Sequence, residues 1–149
     1  MDKITNNNSP FSIFNSQLIL TPLKQIFHSK GDIFHAMKKS DNGFEGFGEA
    51  YFSTIHKDDI KGWKKHTQMT LNLVVIVGEI EFVVYDDKSE AFFSVKLSSE
   101  NYQRLTVKPN LWVAFRGVDD NNTLLNLASI EHDPSEAENL ELESIVYEW

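Results

Sequence analysis

The densest positive charge of the chain lies in one short run, Lys61-Gly62-Trp63-Lys64-Lys65-His66-Thr67. In a chain of formal net charge -8, such a cluster is a candidate seat for an anionic group such as a phosphate. If the run is extended, alternation places Lys61 and Lys65 on one face and Lys64 and His66 on the other. The same run is also typical of a solvated strand edge, where lysines prevent edge-to-edge pairing.

Histidines are the usual general bases and non-thiolate metal ligands, and five occur, at positions 28, 35, 56, 66 and 132. Metal-binding barrels often place a His-x-His pair on one strand. Here only His66 is available, with Lys64 at the partner's position. The later strand at 109–115 contains no histidine. We therefore predict no metal site and no other cofactor.

Composition excludes several classes of function. Asp and Glu number 22 against 14 Lys and Arg, so the chain repels nucleic acid and anionic membranes. No cysteine is present, which excludes disulfide scaffolds, thiolate metal sites and cysteine nucleophiles. No Gly-x-Gly-x-x-Gly and no P-loop pattern occurs, which argues against the usual dinucleotide and nucleoside triphosphate sites.

The elements that must position these residues belong to one domain over 1–149, because 149 residues with 41% hydrophobic content suit a single core. Residues 1–16, rich in Asn and Ser, are interpreted as a flexible leader. This N-terminus is acidic and polar, unlike a signal peptide, and the longest apolar-rich run, 71–77, is too short to span a bilayer. A cytosolic location is expected.

Short apolar runs separated by turn residues indicate about ten strands. Residues 49–55 alternate in polarity, and 69–77 and 80–85 are joined by a glycine turn. Residues 33–37 are read as a further strand, and 135–144 as a short acidic helix or an extended tail. Without β–α alternation, this pattern predicts an antiparallel sandwich or barrel. The predicted core includes Leu71, Leu73, Val75, Val77, Phe82, Val84, Leu105 and Phe115.

Aromatic residues are interleaved with these polar positions. Tyr51 is a candidate for stacking on a planar base or a sugar. The more common role of such residues is core filling.

Several blocks of sequence resemble the cupin-fold dTDP-4-dehydrorhamnose 3,5-epimerases, the RmlC-like family. They are Gly48-Glu49-Ala50-Tyr51-Phe52-Ser53, Ile60-Lys61-Gly62-Trp63, the segment 73–86, the segment 105–115 and Asp133-Pro134-Ser135-Glu136-Ala137-Glu138. The resemblance covers most of the chain. It implies a metal-free, antiparallel double-stranded β-helix jelly roll, usually a homodimer with exchanged N-terminal strands.

In this family a histidine held by an aspartate removes a proton next to the 4-keto group of a dTDP-linked sugar. A lysine steadies the enolate oxygen, and a tyrosine returns a proton from the other face. The family's Arg-Gly-Leu-His segment corresponds to positions 61–64, so Lys61 stands at the substrate-facing arginine and Lys64 at the base. The family's lysine corresponds to Leu71 or Asn72.

Other positions also differ in residue type. Glu49 stands where a glutamine contacts substrate, Glu131 or His132 stands at the tyrosine position, and Val113 replaces a histidine. The resemblance thus makes Lys64, His66 and His132 the candidate catalytic residues. The candidate substrate-binding residues are Lys61, Glu49, Tyr51, Asn72 and Glu131.

The implied function is epimerisation or isomerisation of a nucleotide sugar of the dTDP-4-keto-6-deoxyhexose type, in the biosynthesis of a surface polysaccharide sugar. Because three catalytic side chains of the family are replaced, a non-catalytic sugar-nucleotide-binding cupin is the alternative, and a structural domain without a ligand is a third. The expected partners are a nucleotide-diphosphate sugar and a second copy of the chain, without nucleic acid or membrane. We expect one cavity to be lined by Lys61, Lys64, His66, Glu49 and His132.

Overall fold

The computed structural model describes residues 2–3 and 12–149, and side chains from Asn15 onward. Within these residues the chain is built from short strands, since its apolar and polar residues alternate between turns rich in Gly, Asn and Asp. In chain order the strands are β1 Asp2–Lys3, β2 Ser12–Asn15, β3 Leu18–Pro22, β4 Gln25–Ile26, β5 Ile33–Phe34, β6 Glu49–His56, β7 Ile60–His66, β8 Leu71–Val77, β9 Glu79–Asp86, β10 Ala91–Ser98, β11 Gln103–Val107, β12 Trp112–Gly117, β13 Asn121–Ala128 and β14 Ala137–Asn139. Two 3₁₀ turns, Pro134–Glu136 and Leu142–Ser144, flank β14.

Two six-stranded sheets form the body of the molecule. Sheet A has the strand order β1-β10-β9-β12-β7-β14, and sheet B has the order β2-β3-β11-β8-β13-β6. Among the described strands every pairing in these sheets is antiparallel except that of β1 with β10. Successive segments of the chain cross between the sheets, which confirms the predicted antiparallel jelly roll. The described part of the chain contains no helix long and apolar enough to cross a membrane.

The core lies between the sheets and follows the period-two alternation of the strands. On β8, Leu71, Leu73 and Val75 point inward and are buried. From the facing sheet, Phe82 and Val84 of β9 meet them. Six of the eight predicted core residues are buried, and Phe115 packs against the core while remaining partly exposed.

Two sequence predictions are wrong: Val77 does not belong to the core, and no strand spans the whole of 33–37. Val77 is 47% exposed, because it ends β8 at the turn made by Gly78. The predicted strand at 33–37 is limited to β5, since the Ala36 carbonyl accepts a hydrogen bond from the buried Arg104 guanidinium instead of a strand partner.

The acidic segment 135–144, predicted to be a short helix or an extended tail, is neither of these over its whole length. Asp133 caps the first 3₁₀ turn by accepting a hydrogen bond from the Ser135 amide, and Pro134 occupies its first position. The chain then forms β14, which pairs with the outer edge of β7. Of the predicted leader, β1 and β2 pair with strands of the sheets, whereas residues 1 and 4–11 lie outside the described residues.

The C-terminal segment covers the outer face of sheet A. Trp63 of β7 is buried there, and its indole Nε1 donates to the Leu142 carbonyl at 3.2 Å. Tyr147 and Trp149 form an edge-to-face pair, and Trp149 also stacks obliquely on Trp63. The outer side of β7 is therefore covered by aromatic side chains around Trp63.

Candidate functional site

A cavity of about 290 Å³ opens between the two sheets. Strands β6, β8 and β13 of sheet B form one wall, and β7 and β12 of sheet A form the other. Its lining combines charged and polar groups with aliphatic walls: Tyr51, Ser53, Lys61, Gly62, Lys64, His66, Leu71, Leu73, Val113, Phe115, Leu124 and Asn126.

A β-bulge in β7 determines which side chains reach this cavity. Val113 of β12 pairs with Lys64, and Phe115 pairs with Lys61. One residue of β12 therefore opposes two residues of β7, Gly62 and Trp63. Such an extra residue reverses the alternation of side chains along the bulged strand.

The bulge places Lys61, Lys64 and His66 on the inner face of β7 together. Lys65 lies on the outer face, where its ammonium stands 4.9 Å from the centre of the Trp112 ring. The prediction from uninterrupted alternation, with Lys61 and Lys65 opposite Lys64 and His66, is therefore wrong.

Lys61 is a fixed cation at the cavity. Its Nζ donates to the Thr54 carbonyl at 2.7 Å and to Ser53 Oγ at 3.2 Å, and it lies 5.7 Å from the centre of the Phe115 ring. Lys64 is exposed, and its ammonium makes no hydrogen bond or ion pair with another described residue. The cavity thus presents one anchored and one uncommitted amine to a ligand.

His66 and Glu136 form a buried pair at the base of the cavity. They are 7% and 4% exposed, and His66 Nδ1 lies 2.5 Å from Glu136 Oε1. The second carboxylate oxygen accepts hydrogen bonds from the amides of Thr67 at 2.9 Å and Gln68 at 3.1 Å. Since an ionised carboxylate only accepts, Nδ1 carries the proton and Nε2 is the basic nitrogen.

The balance of forces on Glu136 keeps it ionised. Burial by itself raises the pKa of this carboxyl, but hydrogen bonds from His66 and from the amides of Gln68 and Thr67 outweigh it, so the net pKa lies below the ordinary value. An anionic Glu136 stabilises a protonated His66. The pair is therefore arranged for general base chemistry.

Sequence reasoning missed Glu136 as a functional residue. It falls within a block quoted for the family resemblance, but 70 positions separate it from His66. The signal that could have found it is the Asp133-Pro134 start of a 3₁₀ turn, which ends at Glu136 beside β7. Only the pairing of β14 with β7 shows that this turn meets His66.

Tyr51 lies on the opposite wall from His66, on β6 of sheet B. Its Oη accepts a hydrogen bond of 3.0 Å from the side-chain amide of Asn126, a second cavity residue that the sequence did not suggest. Because Asn126 supplies that donor, the phenol keeps its own proton for a ligand. Asn126 in turn accepts from the backbone amide of Asn72.

The remaining candidates lie outside the cavity. Asn72 is buried on the outer face of β8, since Leu71 and Leu73 occupy the inner face. Its Oδ1 accepts from Thr106 Oγ1 at 2.6 Å and from Arg104 Nε at 3.2 Å. Asn72 is therefore turned away from the position at which it was predicted to contact substrate.

Glu49, Glu131 and His132 do not line the cavity either. Glu49 begins β6, and Glu131 and His132 are exposed on the segment that follows β13. The prediction that five residues share one cavity is correct for Lys61, Lys64 and His66 and wrong for Glu49 and His132. Among the residues that the structure describes, no group of three His, Asp or Glu side chains could hold a metal ion.

The fold is shared with several solved structures of sugar isomerases and epimerases. The structure matches a dTDP sugar isomerase from Desulfovibrio desulfuricans G20 with a TM-score of 0.85 and 30% identity, covering 90% of this chain and 91% of that one. It also matches the QdtA 3,4-ketoisomerase from Thermoanaerobacterium thermosaccharolyticum in complex with TDP, with a TM-score of 0.74 and 19% identity over 87% and 95% of the two chains. The rmlC epimerase of Mycobacterium tuberculosis matches with a TM-score of 0.76 and 17% identity over 87% and 71%.

The model of the family described as FdtA: WxcM-like, C-terminal matches residues 16–141. The chain therefore belongs to this family, and its predicted kinship with the RmlC-like cupins is confirmed. No curated protein matches the sequence.

Proposed function

We propose that this protein epimerises or isomerises a nucleotide-linked keto sugar of the dTDP-4-keto-6-deoxyhexose type. The observation that carries the proposal is the buried His66–Glu136 pair, which opens onto a cavity whose other polar groups are Lys61, Lys64 and Tyr51. The 30% identical Desulfovibrio relative, a dTDP sugar isomerase, supports the substrate class.

The proposed reaction begins with removal of a proton next to a ketone. The carbonyl group acidifies the adjacent C–H bond, and Nε2 of His66 accepts the proton while Glu136 stabilises the imidazolium. Among the candidate bases, His66 takes this role because His132 lies outside the cavity and Lys64 has no partner to hold it. This assignment places the base on sheet A.

A proton must then return to the sugar from a second group. Tyr51 projects from sheet B, so a sugar held between the sheets has Tyr51 on one side and His66 on the other. Lys61, held by Thr54 and Ser53, is the proposed contact for the diphosphate, since a fixed ammonium loses little side-chain entropy when it binds an anion. The cavity thus supports addition and removal of protons on opposite faces.

Deuterium uptake tests this proposal. The wild-type protein is incubated in deuterium oxide with a panel of nucleotide-linked 4-keto sugars, and NMR follows the carbon next to the keto group. We expect uptake with at least one sugar, and a loss of about 10² to 10⁴-fold in His66→Asn. The matched control is His56→Asn, which removes an exposed histidine outside the cavity and is expected to retain the wild-type rate.

A non-catalytic sugar-nucleotide-binding protein is the second candidate function. The observation that favours it is Lys64, which stands on the inner face of β7 where the family resemblance implies the base. This reading is supported if calorimetry detects binding of a dTDP-linked sugar while no deuterium enters any sugar of the panel. Uptake of deuterium excludes it.

The proposal includes the expected setting of the protein. We propose one domain over 1–149, acting in the cytosol on a precursor of a surface polysaccharide sugar, without nucleic acid or membrane partners. It acts as a homodimer that associates through sheet B. The exposed apolar side chain of Phe52, on the outer face of the edge strand β6, supports this choice of sheet.

A further inference from the structure

Tyr51 and Asn126 meet across two paired strands of sheet B. They are directly opposed in the register of β6 with β13, and both side chains line the cavity. Asn126 is buried, whereas Tyr51 is exposed. The hydrogen of a phenol turns about the C–O bond unless a neighbouring group fixes its direction. The contact with Asn126 supplies such a group.

The side-chain amide of Asn126 has a defined orientation. Its Oδ1 accepts a hydrogen bond from the backbone amide of Asn72 at 3.1 Å, and a backbone amide can only donate. The nitrogen Nδ2 therefore faces Tyr51 Oη, 3.0 Å away. Asn72 is itself held from the outer face of the sheet by Thr106 and Arg104. Asn126 is thus attached to a part of the backbone that has its own fixed partners.

This orientation makes the Tyr51 oxygen an acceptor toward Asn126. Because the amide nitrogen offers no lone pair, the phenol hydrogen cannot point at Asn126 and is available to a ligand in the cavity. With an acceptor at position 126, the phenol would donate to β13 instead. The same N–H group also stabilises the negative charge that remains on the oxygen after the phenol gives up its proton.

We propose that Asn126 is a positioning residue that directs the Tyr51 proton toward the sugar, so that the second proton transfer of the reaction depends on it. The inference rests on the proposed function, because it requires a keto sugar between Tyr51 and His66. In one turnover His66 takes a proton from the sugar, and Tyr51 gives one to the resulting enolate. Both groups then return to their starting states by exchange with water. Asn126 contacts only Tyr51 of these two, so the two transfers can be affected separately.

The variant Asn126→Asp tests the direction of this hydrogen bond. An ionised carboxylate still accepts from the Asn72 amide but cannot donate to Tyr51, so the phenol proton turns toward position 126. In deuterium oxide, with the 4-keto sugar of the panel that the wild type converts, NMR measures two rates. One is deuterium uptake into recovered substrate, which needs His66, and the other is product formation, which also needs Tyr51. We expect product formation to fall by at least about 10-fold while uptake into the substrate is retained.

The matched control is Asn122→Asp. Asn122 is a second buried asparagine on β13, and its side-chain amide donates to the Ile55 carbonyl outside the cavity. A general loss of stability lowers both rates together, so this variant should keep the wild-type ratio of product formation to uptake. Asn126→Ala removes the donor without adding a charge and replaces Asn126→Asp if that variant does not fold. It should lower the ratio as well.

Combination with Tyr51→Phe shows whether Asn126 acts through the phenol. We expect Tyr51→Phe to reduce product formation and to retain uptake, and a second change at position 126 to cause no further fall. An unchanged ratio in the variants at position 126, or a further fall of full size in the double variant, would overturn the inference. Either result with an active wild type overturns the role of Asn126 alone, whereas no uptake by the wild type with any sugar overturns the proposed function too.

Discussion

Glu136 controls the chemistry available to His66. It fixes the protonated ring nitrogen through a 2.5 Å contact and is itself held by two backbone amides. A carboxylate in this position acts through the histidine and does not itself line the cavity. At the scale of single residues, this pair is the feature most open to test.

Replacing Glu136 with glutamine should slow turnover while binding of the nucleotide sugar is retained. The neutral amide still meets Nδ1 but no longer stabilises the imidazolium, so we expect kcat to fall about 10 to 100-fold. The exposed neighbour Glu138→Gln is the control, and equal kcat values for the two variants would contradict a positioning role.

Glu136 should also make stability depend on pH. Its folded-state pKa lies below that of the unfolded chain, so its stabilising contribution is complete above the unfolded value and is lost as the pH falls through the folded value. The difference in free energy of unfolding between wild type and Glu136→Gln should therefore be largest near neutral pH and should shrink toward about pH 3. Urea denaturation at several pH values measures this difference in free energy of unfolding. A difference that grows as the pH falls would contradict the predicted direction of the pH dependence.

At the scale of elements, the loop between β5 and β6 depends on one buried cation. Arg104 of β11 is fully buried and donates to the carbonyls of Ala36 and Asn42 and to the Asp41 carboxylate at 3.2 Å. A second contact of the loop, between Glu45 and Lys108, is partly exposed at 3.5 Å. The loop in turn covers the outer face of β8, where the Gly43 carbonyl accepts a hydrogen bond from the side-chain amide of Asn72.

Loss of the Arg104 contacts and loss of the Lys108 contact should have very different effects on the free energy of unfolding. Arg104→Met leaves several buried acceptors without a donor, so we expect a loss of roughly 3 kcal/mol in the free energy of unfolding. Lys108→Met removes only the partly exposed pair and should cost less than about 1 kcal/mol. Chemical denaturation of both variants provides the comparison. Similar losses of stability would show that burial does not determine how much each contact stabilises this loop.

The hairpin between β8 and β9 requires glycine at position 78. Gly78 has a φ of +76°, and a Cβ there would stand 2.1 Å from the Asn121 carbonyl oxygen. Gly78→Ala should therefore destabilise the protein by about 2 kcal/mol or more. In the bulge of β7, Gly62→Ala meets nothing closer than 3.6 Å and should cost less, which thermal denaturation of both variants can check.

At the scale of the whole molecule, the proposed association through sheet B is inferred from the exposed side chain of Phe52 on its edge strand β6. Phe52 is 67% exposed and lies in register with Leu125, its neighbour on β13. We expect light scattering at micromolar concentration to give twice the chain mass of 17.1 kDa, and Phe52→Asp to shift the mass toward the monomer. Val146→Asp changes a side chain that is 88% exposed in the C-terminal segment and should leave the dimer intact. A wild-type monomer would contradict this assembly.

The fold class and most of the core are predictable from the residue pattern alone. Apolar alternation and glycine turns are local properties, so the strands around Leu73 and Phe82 and the turn at Gly78 could be read from the order of residues. The same local information identified Lys61, Lys64 and His66 as a cationic cluster. It assigned their faces wrongly, because the bulge in β7 depends on how that strand pairs with β12.

Which polar groups of the cavity meet depends on contacts that form only in the folded chain. His66 and Glu136 are 70 positions apart, and Tyr51 and Asn126 are 75 positions apart, yet each pair is in hydrogen-bond contact. These contacts arise from strand pairing and from the closure of two sheets over one cavity, and neither leaves a periodic signal in the chain. For the same reason Asn72, whose inward or outward direction depends on the register of β8, was assigned to the substrate but lies against Arg104 on the outer face.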